Sequence, residues 1–134
     1  MRRHRTLPLD QRGMTLIEMM VVIAIIGMIA AAVAAAVMGQ LRDARQKTVV
    51  TDFKSLESQL DLYVLKKGGL PSQNDGLKAL VDVGISRELA KDPWGNPYQY
   101  AVNGGEVTLS SLGSDGQPGG ADSAADIAKT IRMR

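Results

Sequence analysis

Residues 13–39 read GMTLIEMMVVIAIIGMIAAAVAAAVMG. From Met19 to Gly39 all 21 residues are Met, Val, Ile, Ala or Gly, and Glu18 is the one charged residue between Arg12 and Arg42. A bilayer core is crossed by about 20 apolar residues in a helix. A soluble helix, by contrast, keeps one polar face. The stretch therefore predicts a helix that is apolar all round and needs lipid or sister helices, which argues against an ordinary soluble cytosolic protein.

Upstream, residues 1–13 hold Arg2, Arg3, Arg5 and Arg12 against Asp10, a net +3 in a chain whose total is +2. The other 121 residues thus carry −1. The basic character belongs to a short leader, so no nucleic-acid footprint is expected in the folded part. Arg-rich flanks stay on the cytoplasmic side, so the chain is expected to cross with its C-terminus outside. Three readings of this N-terminus compete. A secretory signal peptide would use Ala34-Ala35-Ala36 as its cleavage site, but the apolar stretch exceeds the usual core of about 7–15 residues. A plain single-pass anchor leaves Glu18 unexplained. A carboxylate costs roughly 2.5–3.5 kcal/mol at the centre of a membrane helix and less near its edge, and such groups generally have a partner or a task. The third reading gives Glu18 that task.

The segment Gly13-Met14-Thr15-Leu16-Ile17-Glu18, between a basic leader and an apolar run, resembles the class III signal of type IV pilins and pseudopilins. Met14 stands where the family usually has Phe. The resemblance implies that a prepilin peptidase cuts between Gly13 and Met14 and methylates the new amine of Met14. Glu18 would then be the fifth residue of the mature chain. Its carboxylate would then meet the ammonium of Met14, either its own or, in an assembly, that of a neighbouring subunit; such a pairing is strong at low dielectric, and between subunits it would set register more than bulk stability.

With no cysteine and with His4 as the single histidine, the chain lacks disulfides, thiolate chemistry and Cys-type zinc sites. A Ser-His-Asp triad would have to recruit the N-terminal tail, and no phosphate-binding loop is present. No enzymatic activity is expected, and 134 residues suffice for one small domain.

Beyond Gln40 the pattern stays helical. Val49, Phe53, Leu56, Leu60 and Tyr63 recur at spacings of three and four, the stripe of a helix packed on a core, and Asp43 with Lys47 forms an i,i+4 pair. No proline lies between Pro8 and Pro71, so a helix from Met14 to Gly68-Gly69 is predicted without a built-in kink. The alanines at 30–32 and 34–36 permit close helix approach. Ser72 with Asp75 predicts a capped second helix carrying Leu77, Leu80 and Val81 and ending near Gly84. The segment from Asp92 to Tyr98 is dense in turn residues, and its Trp94 is expected to anchor packing. Tyr98–Val102 and Glu106–Leu112 read as strands joined by Asn103-Gly104-Gly105. Two or three strands alone are marginal, so the predicted class is α+β, a long N-terminal helix (transmembrane half plus amphipathic half) packed on a small antiparallel sheet.

Glu57–Leu65, Leu70-Pro71, Asp75–Leu80, Asp92–Tyr98 and Ser111–Gly116 resemble the major pseudopilins of type II secretion, and the likeness runs from Gln11 to Ile127. It implies a type IV pilin-like organisation: a leader at 1–13, a transmembrane and assembly helix at 14–39 and a periplasmic α+β domain at 40–134. It implies inner-membrane anchorage and polymerisation of the processed chain into a filament that promotes export of folded proteins across the outer membrane. The implied partners are further copies of the chain, minor pseudopilins, the inner-membrane assembly platform and the prepilin peptidase. A type IV pilin subunit is the alternative within the class, and a Sec-exported small periplasmic binding domain the alternative outside it.

Between Val107 and Ala128 stand Asp115, Asp122 and Asp126 with no Lys or Arg, among several glycines. Hard oxygen donors on a flexible loop suit Ca²⁺. Asp115 and Asp126 have the separation of the first and last EF-hand ligands, but Gln117 and Gly119 occupy intervening ligand positions and no helix precedes the loop, so an EF-hand is rejected. On composition alone a solvated acidic loop is favoured. The family resemblance implies calcium instead, with side chains of Asp115 and Asp126, backbone carbonyls of Leu112 and Gln117, and Asp122 and Ser123 as further ligand positions.

Overall fold

The computed structural model describes residues 13–132. All of the predicted leader except Gly13 lies outside the described residues. The chain divides into two compact units, one up to Gly39 and one from Gln40 onward.

One helix, α1, runs Leu16–Lys67. It begins two residues after the predicted start because Thr15 acts as its cap: the Glu18 amide donates to Thr15 Oγ1 at 3.2 Å. At the other end Gly68 adopts φ 79° and its amide donates to the Val64 carbonyl at 2.7 Å. That is the left-handed stop which glycine allows without a Cβ penalty.

In the first unit α1 is apolar on every side, and by length and composition it can cross a membrane. None of its most apolar window is buried. Ile23, Ile26, Ile29, Val33 and Val37 are all exposed.

In the second unit α1 buries a single stripe, Val49, Phe53, Leu56 and Leu60, with Tyr63 half-buried beside it. The stripe meets Leu77 and Leu80 and the inner face of a three-stranded antiparallel sheet. The strands are β1 (Gln99–Asn103), β2 (Glu106–Ser111) and β3 (Ile127–Arg132), in spatial order β1-β2-β3. On β2, Val107, Leu109 and Ser111 are buried and alternate with half-buried neighbours, the period-2 pattern of a sheet with one packed face. Burying each large apolar side chain contributes about 1.5–3 kcal/mol. Phe53 and Tyr98 meet edge-to-face, ring centroids 5.5 Å apart. The β1–β2 turn is Gly104-Gly105, with φ 56° and 87°, the two positive values that a two-residue hairpin loop requires.

Three local expectations change. The second helix, α2, is only Lys78–Asp82 and has no side-chain cap. Ser72 and Asp75 instead close the preceding turn: Ser72 Oγ donates to Asp75 Oδ2 at 2.7 Å and the Asp75 amide donates back to Ser72 Oγ at 3.2 Å. The i,i+4 pair of Asp43 and Lys47 is absent from the ion pairs among the described residues, which join Arg42 to Asp122, Lys129 to Glu57 and Arg132 to Glu106. Strand β3 has no counterpart in the sequence reading. Its inner face carries Ile127, Lys129 and Ile131, and the lysine breaks the apolar alternation. Lys129 is tolerated there because its Nζ donates to Glu57 Oε2 of α1 at 2.7 Å.

Candidate functional site

At the N-terminus Gly13, Met14 and Thr15 lie outside the helix, and all are exposed. The bond between Gly13 and Met14 therefore sits in non-helical chain just before α1. Glu18 lies in the first turn of the helix. Its Oε2 accepts from the Thr15 amide at 2.9 Å while Thr15 Oγ1 accepts from the Glu18 amide. This is a reciprocal capping box, which satisfies two of the helix's otherwise unpaired donors and places negative charge at the positive end of the helix dipole. The Thr-x-x-Glu spacing that signals this box is legible in the sequence, whereas the partner expected for Glu18 is the Met14 amine, of its own subunit or of a neighbour.

The second element is the turn from Asp92 to Tyr98. Asp92 is buried at 5% exposure. Its Oδ1 accepts from the amides of Trp94 and Asn96 at 3.1 and 2.8 Å, and its Oδ2 accepts from Ser111 Oγ at 2.6 Å. Ser111 Oγ in turn accepts from the Gly113 amide, and Asn96 Nδ2 donates to the Gly113 carbonyl at 3.0 Å. The turn thus clamps the entry to the loop that follows β2. Trp94 is half-buried against the core, as expected of a packing anchor. Tyr98 donates its hydroxyl hydrogen to Asp52 Oδ2 on α1 at 2.6 Å. Burial first, then the Asp52 carboxylate, raise its pKa far above the ordinary phenol value. Tyr100 donates to the Pro71 carbonyl at 2.9 Å, and burial, then Tyr63, raise its pKa as well.

The third element is the loop from Leu112 to Asp126. It is closed by the Ser114 amide donating to the Ser123 carbonyl at 3.0 Å. Gly113 and Gly120, both with positive φ, pack on the Ala124 carbonyl. A Cβ at either would stand 2.8 Å from the Ala124 carbonyl carbon. Asp115 Oδ1 accepts from the Gln117 amide at 3.1 Å, and Asp126 Oδ2 accepts from the Gly119 amide at 2.9 Å. Asp122, the one non-glycine with positive φ among the described residues, φ 54°, is turned toward α1 and pairs with Arg42 at 2.9 Å. Leu112 is half-buried and Ser123 exposed. Among the described residues no group of three or more Asp, Glu, His or Cys side chains gathers to hold a metal ion. In donor type the loop suits a hard cation, because its groups are carboxylate, hydroxyl and carbonyl oxygens on a backbone folded tightly through Gly113 and Gly120. The Arg42 contact spans 80 positions and leaves no local signal in the sequence.

Residues 36–130 match the family model described as type II secretion system (T2SS), protein G. Residues 9–34 match the prokaryotic N-terminal methylation motif. The chain belongs to the type II secretion system protein G family. Its curated relatives match it over most of both chains. Type II secretion system core protein G of Pseudomonas aeruginosa is 42% identical over 133 residues, covering 88% of this chain and 94% of the relative. That of Vibrio cholerae is 40% identical over 131 residues, 87% and 90% of the two chains. That of Escherichia coli is 40% identical over 128 residues, 84% and 88%. These protein G relatives are named as core proteins of a secretion system, not as enzymes. The methylation motif falls on the Gly13–Glu18 segment, and the protein G match covers the clamped turn and most of β3.

Proposed function

We propose that this chain is a structural subunit of the type II secretion pseudopilus. The helix that is apolar and exposed on all sides in the first unit, directly behind a prepilin-type motif, carries this reading. A prepilin peptidase cuts between Gly13 and Met14 and methylates the Met14 amine. The helix holds the protein in the inner membrane, with the domain from Gln40 onward in the periplasm. Copies then pack through their apolar helices into a filament, with minor pseudopilins and the inner-membrane assembly platform as further partners. The Thr15–Glu18 capping box orders the first turn in the single subunit, and on assembly the Glu18 carboxylate also faces the Met14 ammonium of a neighbour.

Calcium is part of the proposal. Asp115 and Asp126 would hold it by their carboxylates, completed by the carbonyls of Leu112 and Gln117 and by Ser123. Asp122, which pairs with Arg42, contributes least. The ion would supply positive charge to an acidic loop that has no apolar core of its own.

Intact mass and N-terminal sequencing of membrane-extracted protein test the reading. A mature chain that starts at N-methylated Met14 and stays membrane-bound is the expected result. A soluble monomer starting near Val37 would establish the exported binding-domain alternative instead.

A further inference from the structure

Both margins of the sheet end in a strand whose outer backbone groups face away from β2, and the two margins differ in chemistry. An unguarded edge strand is a template for pairing with another chain, and lysine or arginine on the edge suppresses such pairing. β3 carries Lys129 and Arg132. β1, Gln-Tyr-Ala-Val-Asn at 99–103, carries no charge at all.

The hairpin register fixes which groups of β1 point outward. Asn103 pairs with Glu106 across the two-residue turn, and Ala101 pairs with Thr108. The narrow pair that closes such a turn exchanges its hydrogen bonds internally, and alternate residues face the other way. The outward groups are therefore those of Tyr100 and Val102. Gln73 occupies them: its Nε2 donates to the Tyr100 carbonyl at 3.0 Å and its Oε1 accepts from the Val102 amide at 2.8 Å. The carboxamide meets one acceptor and one donor, so its orientation is set, and it mimics one rung of a β-ladder. The turn that presents it is fixed on both sides. Tyr100 Oη donates to the Pro71 carbonyl, and Ser72 and Asp75 close the chain around Gln73.

We propose that Gln73 is an edge plug that keeps β1 from pairing with β1 of a second copy of this chain. A second copy is the occupant the register favours. With the Tyr100 and Val102 groups outward, two β1 strands related by a two-fold at Ala101 would satisfy each other's free groups. Ala101 is small, exposed and uncharged, and would face its own counterpart without repulsion. A subunit that is to associate through its helices has its sheet closed by a side chain. The inference is independent of the calcium and processing readings.

The chain contains no cysteine, so a single Ala101→Cys reports the pairing. In the two-fold arrangement the two Cα atoms stand about 4.5 Å apart, within disulfide reach. Diamide, as oxidant, takes up the two electrons and two protons of the thiol pair. In the full chain in detergent, Ala101→Cys alone is expected to stay uncrosslinked. Combined with Gln73→Met, which keeps the size and removes both hydrogen bonds, it is expected to give a disulfide-linked dimer. Equal crosslinking in both chains, or none in either, would overturn the proposal. Hydrogen exchange on the unsubstituted chain is the second test. The Val102 amide is expected to exchange about tenfold more slowly than an unpaired edge amide, and exchange at the unpaired rate would overturn the plug without recourse to any variant.

Discussion

Ser111 at the end of β2 donates its hydroxyl hydrogen to the buried carboxylate of Asp92 at 2.6 Å. The contact ties the 92–98 turn to the start of the 112–126 loop, and it makes the buried Asp92 the hub of three hydrogen bonds. Hydrogen bonds to a charged group contribute about 1.5–3 kcal/mol each, and orphaned buried donors cost further. Asp92→Ala is therefore expected to lower the unfolding free energy by about 4 kcal/mol or more, and Ser111→Ala by less. Denaturant unfolding followed by Trp94 fluorescence measures both, and equal losses would contradict the hub.

Tyr98 makes stability depend on alkaline pH. Its folded pKa is raised, by burial and then by Asp52, whereas in the unfolded chain it titrates near the ordinary phenol value of about 10. A raised pKa means that the folded state holds the proton after the unfolded chain has released it. The contribution is fully present below about pH 10 and declines as pH climbs beyond. Melting temperature is expected to fall above that pH. Tyr98→Phe, which has no proton to lose, is expected to flatten the slope while lowering stability at neutral pH through loss of the Asp52 bond. A slope unchanged in the variant would assign the alkaline loss elsewhere.

Gly113 and Gly120 are expected to be the least replaceable loop positions. Alanine at either must adopt positive φ and bring its Cβ within 2.8 Å of the Ala124 carbonyl carbon. A left-handed backbone alone costs about 1–2 kcal/mol, and the contact adds to it. Gly119→Ala meets nothing within 4 Å, so only the backbone strain applies. Thermal unfolding of the three variants should rank Gly119→Ala as the mildest.

For calcium, titrating the full chain with a chelator and then with Ca²⁺ is expected to lower and restore the melting temperature. Asp115→Ala and Asp126→Ala should abolish the shift. Asp122→Ala should retain most of it, since that carboxylate is paired with Arg42. A melting curve indifferent to chelator would remove the metal from the proposal.

Much of this molecule is written in short-range pattern. Met19–Gly39 declares itself by composition, the buried stripe from Val49 to Leu60 by its spacing, the helix end by Gly68 and the hairpin by Gly104-Gly105. Each is settled within a few residues by sterics or by the partition of apolar surface, so it can be read from neighbours along the chain. β3 could not be read so, because Lys129 on its inner face is acceptable only where Glu57 waits. Nor could the partners of Asp52, Asp122 or Gln73, which come from 27 to 80 positions away. Hydrogen bonds and ion pairs act over a few ångströms, and which groups come that close is decided by packing helix, turn and sheet around one core.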